Sequence, residues 1–119
     1  MKKIIALTAT IWCIYSCGII GSLNSNTSIK PHERFVLGQN EHGKFRTYLK
    51  NEGTTVLNIF QAPINGGSYS PVLVNPQETI QIKTAQNTAL VIENTGAVYG
   101  SVTLKVKGDL NLGMTYNHQ

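Results

Sequence analysis

From Arg34 onward, apolar and polar residues alternate with a period of two, which places successive side chains on opposite faces of a strand. Phe45, Thr47 and Leu49 alternate with Lys44, Arg46, Tyr48 and Lys50, and Ile80 and Ile82 alternate with Gln81 and Lys83. Val102, Leu104 and Val106 alternate with Thr103, Lys105 and Lys107, and Leu110, Leu112, Met114 and Tyr116 with Asn111, Gly113, Thr115 and Asn117. Two runs, 56–60 and 89–92, read as strands buried on both faces. Turn residues separate the runs: 40–43, Asn51-Glu52-Gly53, Asn65-Gly66-Gly67, Asn75-Pro76, 85–87, Asn94-Thr95-Gly96 and Gly108-Asp109. No stretch after Pro31 shows helical spacing with caps. Seven or eight short strands at this spacing predict an all-β fold: one small antiparallel β-sandwich, or a small barrel.

One register can be taken further. A two-residue hairpin at Gly108-Asp109 would set Val106 against Asn111 and mix apolar with polar residues on both faces, which a half-buried sheet resists. An odd-length loop instead pairs Val106 with Leu112, Leu104 with Met114 and Val102 with Tyr116, and this is the register expected.

The first third of the chain reads differently. Lys2 and Lys3 precede an uncharged, largely apolar stretch, residues 4–15, of the length of an export-signal core. Ile14-Tyr15-Ser16-Cys17-Gly18 follows and resembles the lipobox of bacterial lipoprotein precursors, on Ile14, Ser16 and Cys17. The resemblance covers residues 1–18. It implies that the signal is cut before Cys17 and that the thiol carries lipid, which would tie the chain to a membrane outside the cytoplasm. Cleavage nearby to give a soluble product, and retention of residues 4–20 as a membrane helix, are the alternatives. Residues 18–33 are rich in Ser, Asn and Thr with Pro31 near the end, which is linker chemistry. The expected organisation is a signal over 1–16, a lipid-bearing cysteine and flexible tether over 17–33, and the sandwich over 34–119.

Composition sharpens this picture. The chain has 119 residues, room for one domain. The net charge of +4 includes Lys2 and Lys3, so a mature chain would carry +2. Its cations look scattered along the strands, with no dense cluster of the kind that neutralises phosphates. Nucleic acid is therefore not expected as a partner. Lys44, Arg46, Lys50 and Lys83 could attract an anionic lipid or polymer, but guarding sheet edges against pairing is the simpler explanation. Both cysteines, Cys13 and Cys17, lie in or beside the signal, so no disulfide staples the domain.

Leu49-Lys50-Asn51-Glu52-Gly53 and Ile92-Glu93-Asn94-Thr95-Gly96 look alike, with Val74-Asn75-Pro76-Gln77-Glu78 between them. The order resembles immunoglobulin-like modules of bacterial envelope proteins, and the whole chain resembles small lipoproteins of Bacteroidetes-type envelopes. The first likeness implies an immunoglobulin-like sandwich; the second implies no activity. Asn-x-Gly is good turn chemistry in itself, so a true internal repeat is not expected.

Candidate chemistry is sparse. His32, His42 and His118 sit in the tether, in a turn and beside the C-terminus, without metal-ligand spacing, and are expected to be exposed. Most of the acids fall in or beside turns, Ser68 and Ser70 lack a nucleophile elbow, and Gly66-Gly67 lacks the Lys of a phosphate loop. No enzymatic activity, metal or cofactor is expected. The most unusual segment is the loop 61–71, rimmed by Pro63 and Pro71. Asn65, Ser68 and Tyr69 make it the candidate binding loop, since loops on a rigid sandwich commonly carry recognition. The function expected is a binding module for protein or glycan, held at the cell envelope through lipid on Cys17. The alternatives are a structural subunit that assembles through sheet edges, and a small metal-dependent or hydrolytic enzyme.

Overall fold

The computed structural model describes residues 20–118, and these form nine strands: β1 Ile20–Ile29, β2 Glu33–Leu37, β3 Phe45–Asn51, β4 Leu57–Pro63, β5 Val72–Val74, β6 Thr79–Thr84, β7 Thr88–Asn94, β8 Gly100–Asp109 and β9 Met114–His118. They make two antiparallel sheets, one ordered β1-β8-β3-β6 and the other β5-β4-β7-β2-β9. The expected all-β sandwich is present. Its connectivity is that of a jelly roll, not the hairpin-neighbour order of an immunoglobulin domain, because nearly every connection crosses from one sheet to the other. Cys17 and the export segment lie outside the described residues.

The alternation read from the sequence sets the core. Phe45, Leu49, Val102, Leu104 and Val106 from one sheet meet Phe35, Leu37, Leu57, Ile59, Leu90 and Ile92 from the other, all buried. At roughly 2 kcal/mol for each fully buried aliphatic side chain, this interior is the main source of stability in a fold with no disulfide. Strand β7 is buried at every position. Leu90 and Ile92 face the other sheet, while Ala89 and Val91 form a second cluster with Val36, Phe60 and Ala62 on the outer face.

Two expectations about the chain path are corrected. Much of the supposed tether is β1, which pairs with β8 along its whole length, from Ile20 opposite Asp109 to Ile29 opposite Gly100. Its apolar period is hidden because Ser25 and Thr27 occupy inward positions, where their hydroxyls bond one another at 3.1 Å. An edge strand tolerates this substitution of polar for apolar. The expected β8–β9 hairpin also does not form. β9 pairs with β2, Tyr116 opposite Phe35, so residues 110–113 cross between the sheets. Asn40 fixes the crossing: its side-chain amide donates to Asn111 O and its Oδ1 accepts from Gly113 N, each at 2.8 Å. Alternation marked Met114 and Tyr116 as inward, but on this edge strand both are exposed, and alternation could not name the strand's partner.

The likeness between the two Asn-x-Gly segments is structural. Asn51 Oδ1 accepts from Gly53 N at 3.1 Å, and its Nδ2 donates to Thr55 O at 2.8 Å and Val74 O at 3.0 Å. Asn94 repeats the set: Oδ1 accepts from Gly96 N at 3.0 Å, and Nδ2 donates to Val98 O at 2.8 Å and Ile29 O at 2.9 Å. Both side chains are fully buried. Ile29 and Val74 each lead into a turn of the same sequence form, Lys30-Pro31-His32-Glu33 and Asn75-Pro76-Gln77-Glu78. In each turn the proline is followed by a positive φ, 61° at His32 and 69° at Gln77, the geometry of a type II turn. His32 N donates to Asn94 O at 2.8 Å and Gln77 N to Asn51 O at 2.7 Å. The two corners are thus structurally equivalent, each locked by a buried asparagine that also grips one turn. This corrects the reading of the likeness as chance.

Replacing Asn51 or Asn94 by Ala leaves one buried and one partly buried carbonyl without their donor. Each change is expected to cost about 3 kcal/mol, measured by urea denaturation. Gln77→Gly relieves a left-handed backbone and is expected to gain about 0.5–1 kcal/mol in the same assay.

Candidate functional site

The outer face of the four-stranded sheet gathers the cations. The charged residues of β3, β6 and β8 point away from the core, and the pairing registers align them with their neighbours in rows. Arg46 stands directly opposite Lys83 on one side and Lys107 on the other. Lys107 is in turn opposite Ser22 of β1. The next row runs Gln81, Tyr48, Lys105, Asn24, and the one beyond it Thr79, Lys50, Thr103, Asn26. Lys44, just before β3, joins Phe45, Arg46, Lys83, Thr84, Ala85, Lys107 and Gly108 around an open hollow of about 520 Å³ at the cationic end. Gly108 shapes this end: with φ +113° it passes so close to β3 that a Cβ would lie 2.8 Å from Lys44 O.

Acids are present but committed elsewhere. At one end of the face Asp109 Oδ2 accepts from Gly43 N and Oδ1 from Asn111 N. At the other, Glu52 Oε1 lies 3.8 Å from Lys50 Nζ and Oε2 accepts from Thr103 Oγ1 at 2.7 Å. Among the described residues no carboxylate pairs with Arg46, Lys83, Lys105 or Lys107. Lys107 Nζ instead sits 5.8 Å from the centre of the Tyr48 ring, within cation–π range.

Edge guarding does not explain this face. β3 and β8 are the two inner strands of their sheet, so Arg46, Lys105 and Lys107 guard no edge; of the row, only Lys83 stands on an edge strand. The cations looked scattered because they are far apart in sequence. The strand pairing that brings them together is not visible in the alternation.

The histidines divide. His42 is buried, contrary to expectation. Its Nε2 lies 2.9 Å from Thr88 O, its ring meets Phe45 edge-on at 5.2 Å, and its backbone N donates to Asn87 Oδ1 at 2.9 Å. It pins the 39–43 turn to the 85–87 turn and so props the Asp109 corner. His32 is exposed in its type II turn. His118 pairs through its backbone with Glu33. No three of His, Cys, Asp and Glu converge among the described residues.

The candidate loop joins β4 to β5, neighbours in one sheet, and Asn65, Ser68 and Tyr69 on it are all exposed. It borders two separate recesses. Gly66 and Gly67 rim one of about 290 Å³ over Val36, Phe60 and Val91, beside Arg34, which pairs with Glu93 at 2.7 Å. Tyr69 rims another of about 410 Å³ between β5 and β6, floored by Ile59, Ile80 and Ile82. Neither recess holds a cluster of titratable groups comparable to the cationic face. Cys17 lies outside the described residues.

No protein-family model matches the chain, and no curated protein does. Solved structures share its fold. CapF, the capsular polysaccharide assembling protein of Staphylococcus aureus, superposes with a TM-score of 0.56 at 15% identity, over 74% of this chain and 25% of its own. PirA gives 0.52 at 16% over 71% of this chain and 92% of its own. Procruciferin, the 11S globulin of Brassica napus, gives 0.52 at 10% over 79% and 22%. The chain thus spans about a quarter of CapF's length. The likenesses show a shared β-sandwich fold and transfer no residue. They do correct the expectation that the chain is no enzyme. CapF, with this fold within it, has also been solved with an inhibitor, 3-isopropenyl-tropolone, so the architecture gives no ground for excluding catalysis.

The Asp109 corner yields a pH prediction. The N–H of Gly43 and then that of Asn111 hold its carboxyl below the ordinary 3.8; nearby His42 adds to this, and slight desolvation opposes it. A depressed folded value stabilises fully above the unfolded one and is lost as pH falls through the folded one. An NMR titration of the Asp109 carboxyl should give a midpoint below 3.8, with the Gly43 and Asn111 amides losing protection as it protonates.

Proposed function

We propose that this chain is an exported binding module, held at the cell envelope through lipid on Cys17, whose recognition surface for an acidic partner is the outer face of the four-stranded sheet. The observation that carries this reading is the row Lys83–Arg46–Lys107, like charges set directly opposite one another across three strands. Such juxtaposition destabilises a sheet. It is expected where a ligand supplies the missing negative charge.

The other half of the molecule provides an internal control. Matching β7 to β3, β4 to β8 and β2 to β6 by their pairing registers puts Ala89 and Ala62 where the row has Arg46 and Lys107. Phe60, Val91 and Val36 likewise match Lys105, Tyr48 and Gln81. The fold accepts small and apolar residues at these places, so the strand framework does not require the cations. The lipobox-like Ile14-Tyr15-Ser16-Cys17 supports the envelope address.

Lys83→Gln is expected to raise stability at low salt by about 0.5 kcal/mol, since it relieves repulsion, while lowering the salt needed to elute the protein from a sulfonated resin. Lys30→Gln, an equal change of charge off the face, should do neither. A loss of stability in Lys83→Gln would show the row to be structural. Separately, cells fed a labelled fatty acid should label the wild type and not Cys17→Ala; equal labelling removes the anchor.

A further inference from the structure

We infer that the acidic partner is an anionic glycan laid across the strands of this face, with its acid groups on Lys83, Arg46 and Lys107 and its hydroxyls on the amide and hydroxyl side chains of the adjoining rows. This rests on the binding face proposed above and names the ligand class for it.

Three features of the face select this ligand. The first is span. Neighbouring strands lie about 4.8 Å apart, so the three cations stretch over about 10 Å. One carboxylate or sulfate cannot neutralise all three; several on a single chain can. The hollow beside Lys44 widens the same end and is open to solvent.

The second is the chemistry beside the cations. Around the charged row, and beside Lys105 in the next, exposed amides and hydroxyls line the flanking strands: Ser22, Asn24 and Asn26 on β1, and Thr79 and Gln81 on β6. Amides and hydroxyls both donate and accept hydrogen bonds, which matches sugar hydroxyls that do the same. An acceptor-only phosphate backbone would leave half of that capacity unused.

The third is what the face lacks. The large apolar and aromatic side chains exposed among the described residues, such as Leu73, Tyr69, Tyr99 and Tyr116, all lie elsewhere. Single-stranded nucleic acid is held by stacking bases on successive aromatic rings. This face offers one ring, Tyr48, already approached by Lys107. A protein surface that rests on lipid buries large apolar side chains set among its cations; those just named stand outside these rows, and the apolar surface here is confined to Tyr48 and the hollow at Lys44.

The test uses the full-length chain with five probes at one ionic strength: polygalacturonate, dextran sulfate, uncharged dextran, poly(dT), and phosphatidylcholine vesicles with and without phosphatidylglycerol. In the last arm any signal or lipid contributes equally to both vesicles. At least one of the two anionic glycans should bind at least tenfold more tightly than poly(dT) at matched charge, and dextran should not bind. Lys83→Gln/Lys107→Gln should weaken that binding at least tenfold. Asn24→Ala/Gln81→Ala, which removes no charge, should weaken glycan binding at least threefold and leave poly(dT) unmoved; far-UV circular dichroism checks that both variants keep their sheet. If poly(dT), or the gain from phosphatidylglycerol, equals glycan binding and depends on the same cations, the acidic-partner reading stands and the glycan is overturned. If no anionic probe responds to the cations, both readings fall.

Discussion

Two buried asparagine side chains hold the corners on which the rest of this sandwich depends. Where a strand leaves one sheet for the other, its backbone groups lose their ladder partners inside the protein, and every such group must find another. Asn51 and Asn94 meet that demand with the same bonds: one accepted from the glycine two residues on, two donated to carbonyls on either side of the gap. No other uncharged side chain but glutamine offers an acceptor and two donors from one planar group, and glutamine's extra methylene would overfill the corner. With corners and interior secured, the outward faces are free to diverge. One became apolar around Val36 and Val91, the other cationic around Arg46.

What could be read from the sequence follows from this division of labour. Period-two alternation reports which side of a ribbon is buried, and it identified the inward residues of β3, β6 and β8. It carries no information on which ribbon lies alongside, so the partner of β9 and the jelly-roll order were out of reach. β1 was hidden because its inward Ser25 and Thr27 satisfy one another. His42 was hidden because a turn residue becomes buried only when a second turn, here that of Asn87 and Thr88, docks on it. The cationic face failed for the most instructive reason. Lys44, Arg46 and Lys83 each read as polar along the sequence, but the row exists only once pairing sets residues 46, 83 and 107 side by side.

The acids complete that row by staying out of it. Asp109 is oriented by the amides of Gly43 and Asn111, and Glu52 by Thr103 and Lys50. Both lie at the ends of the face, and both spend their charge on local geometry. A net charge of a few units, modest for the chain as a whole, therefore coexists with one surface of a single sign. Local field, and not overall charge, decides which ions gather at a surface. The sandwiches of CapF, PirA and procruciferin share the frame, as expected where function resides in what a fold displays.

The early start of β1 has a geometric consequence. Only two residues separate Cys17 from Ile20, the first residue paired in the sheet, and three peptide steps reach at most about 11 Å. A lipid on that cysteine would hold the protein as a tile on the bilayer, without the reach of a lure on a line. Lys107 lies opposite Ser22, two residues into the same strand, so the cation-rich end would be the one nearest the lipid. Whatever binds there would have to come down to the membrane to be met.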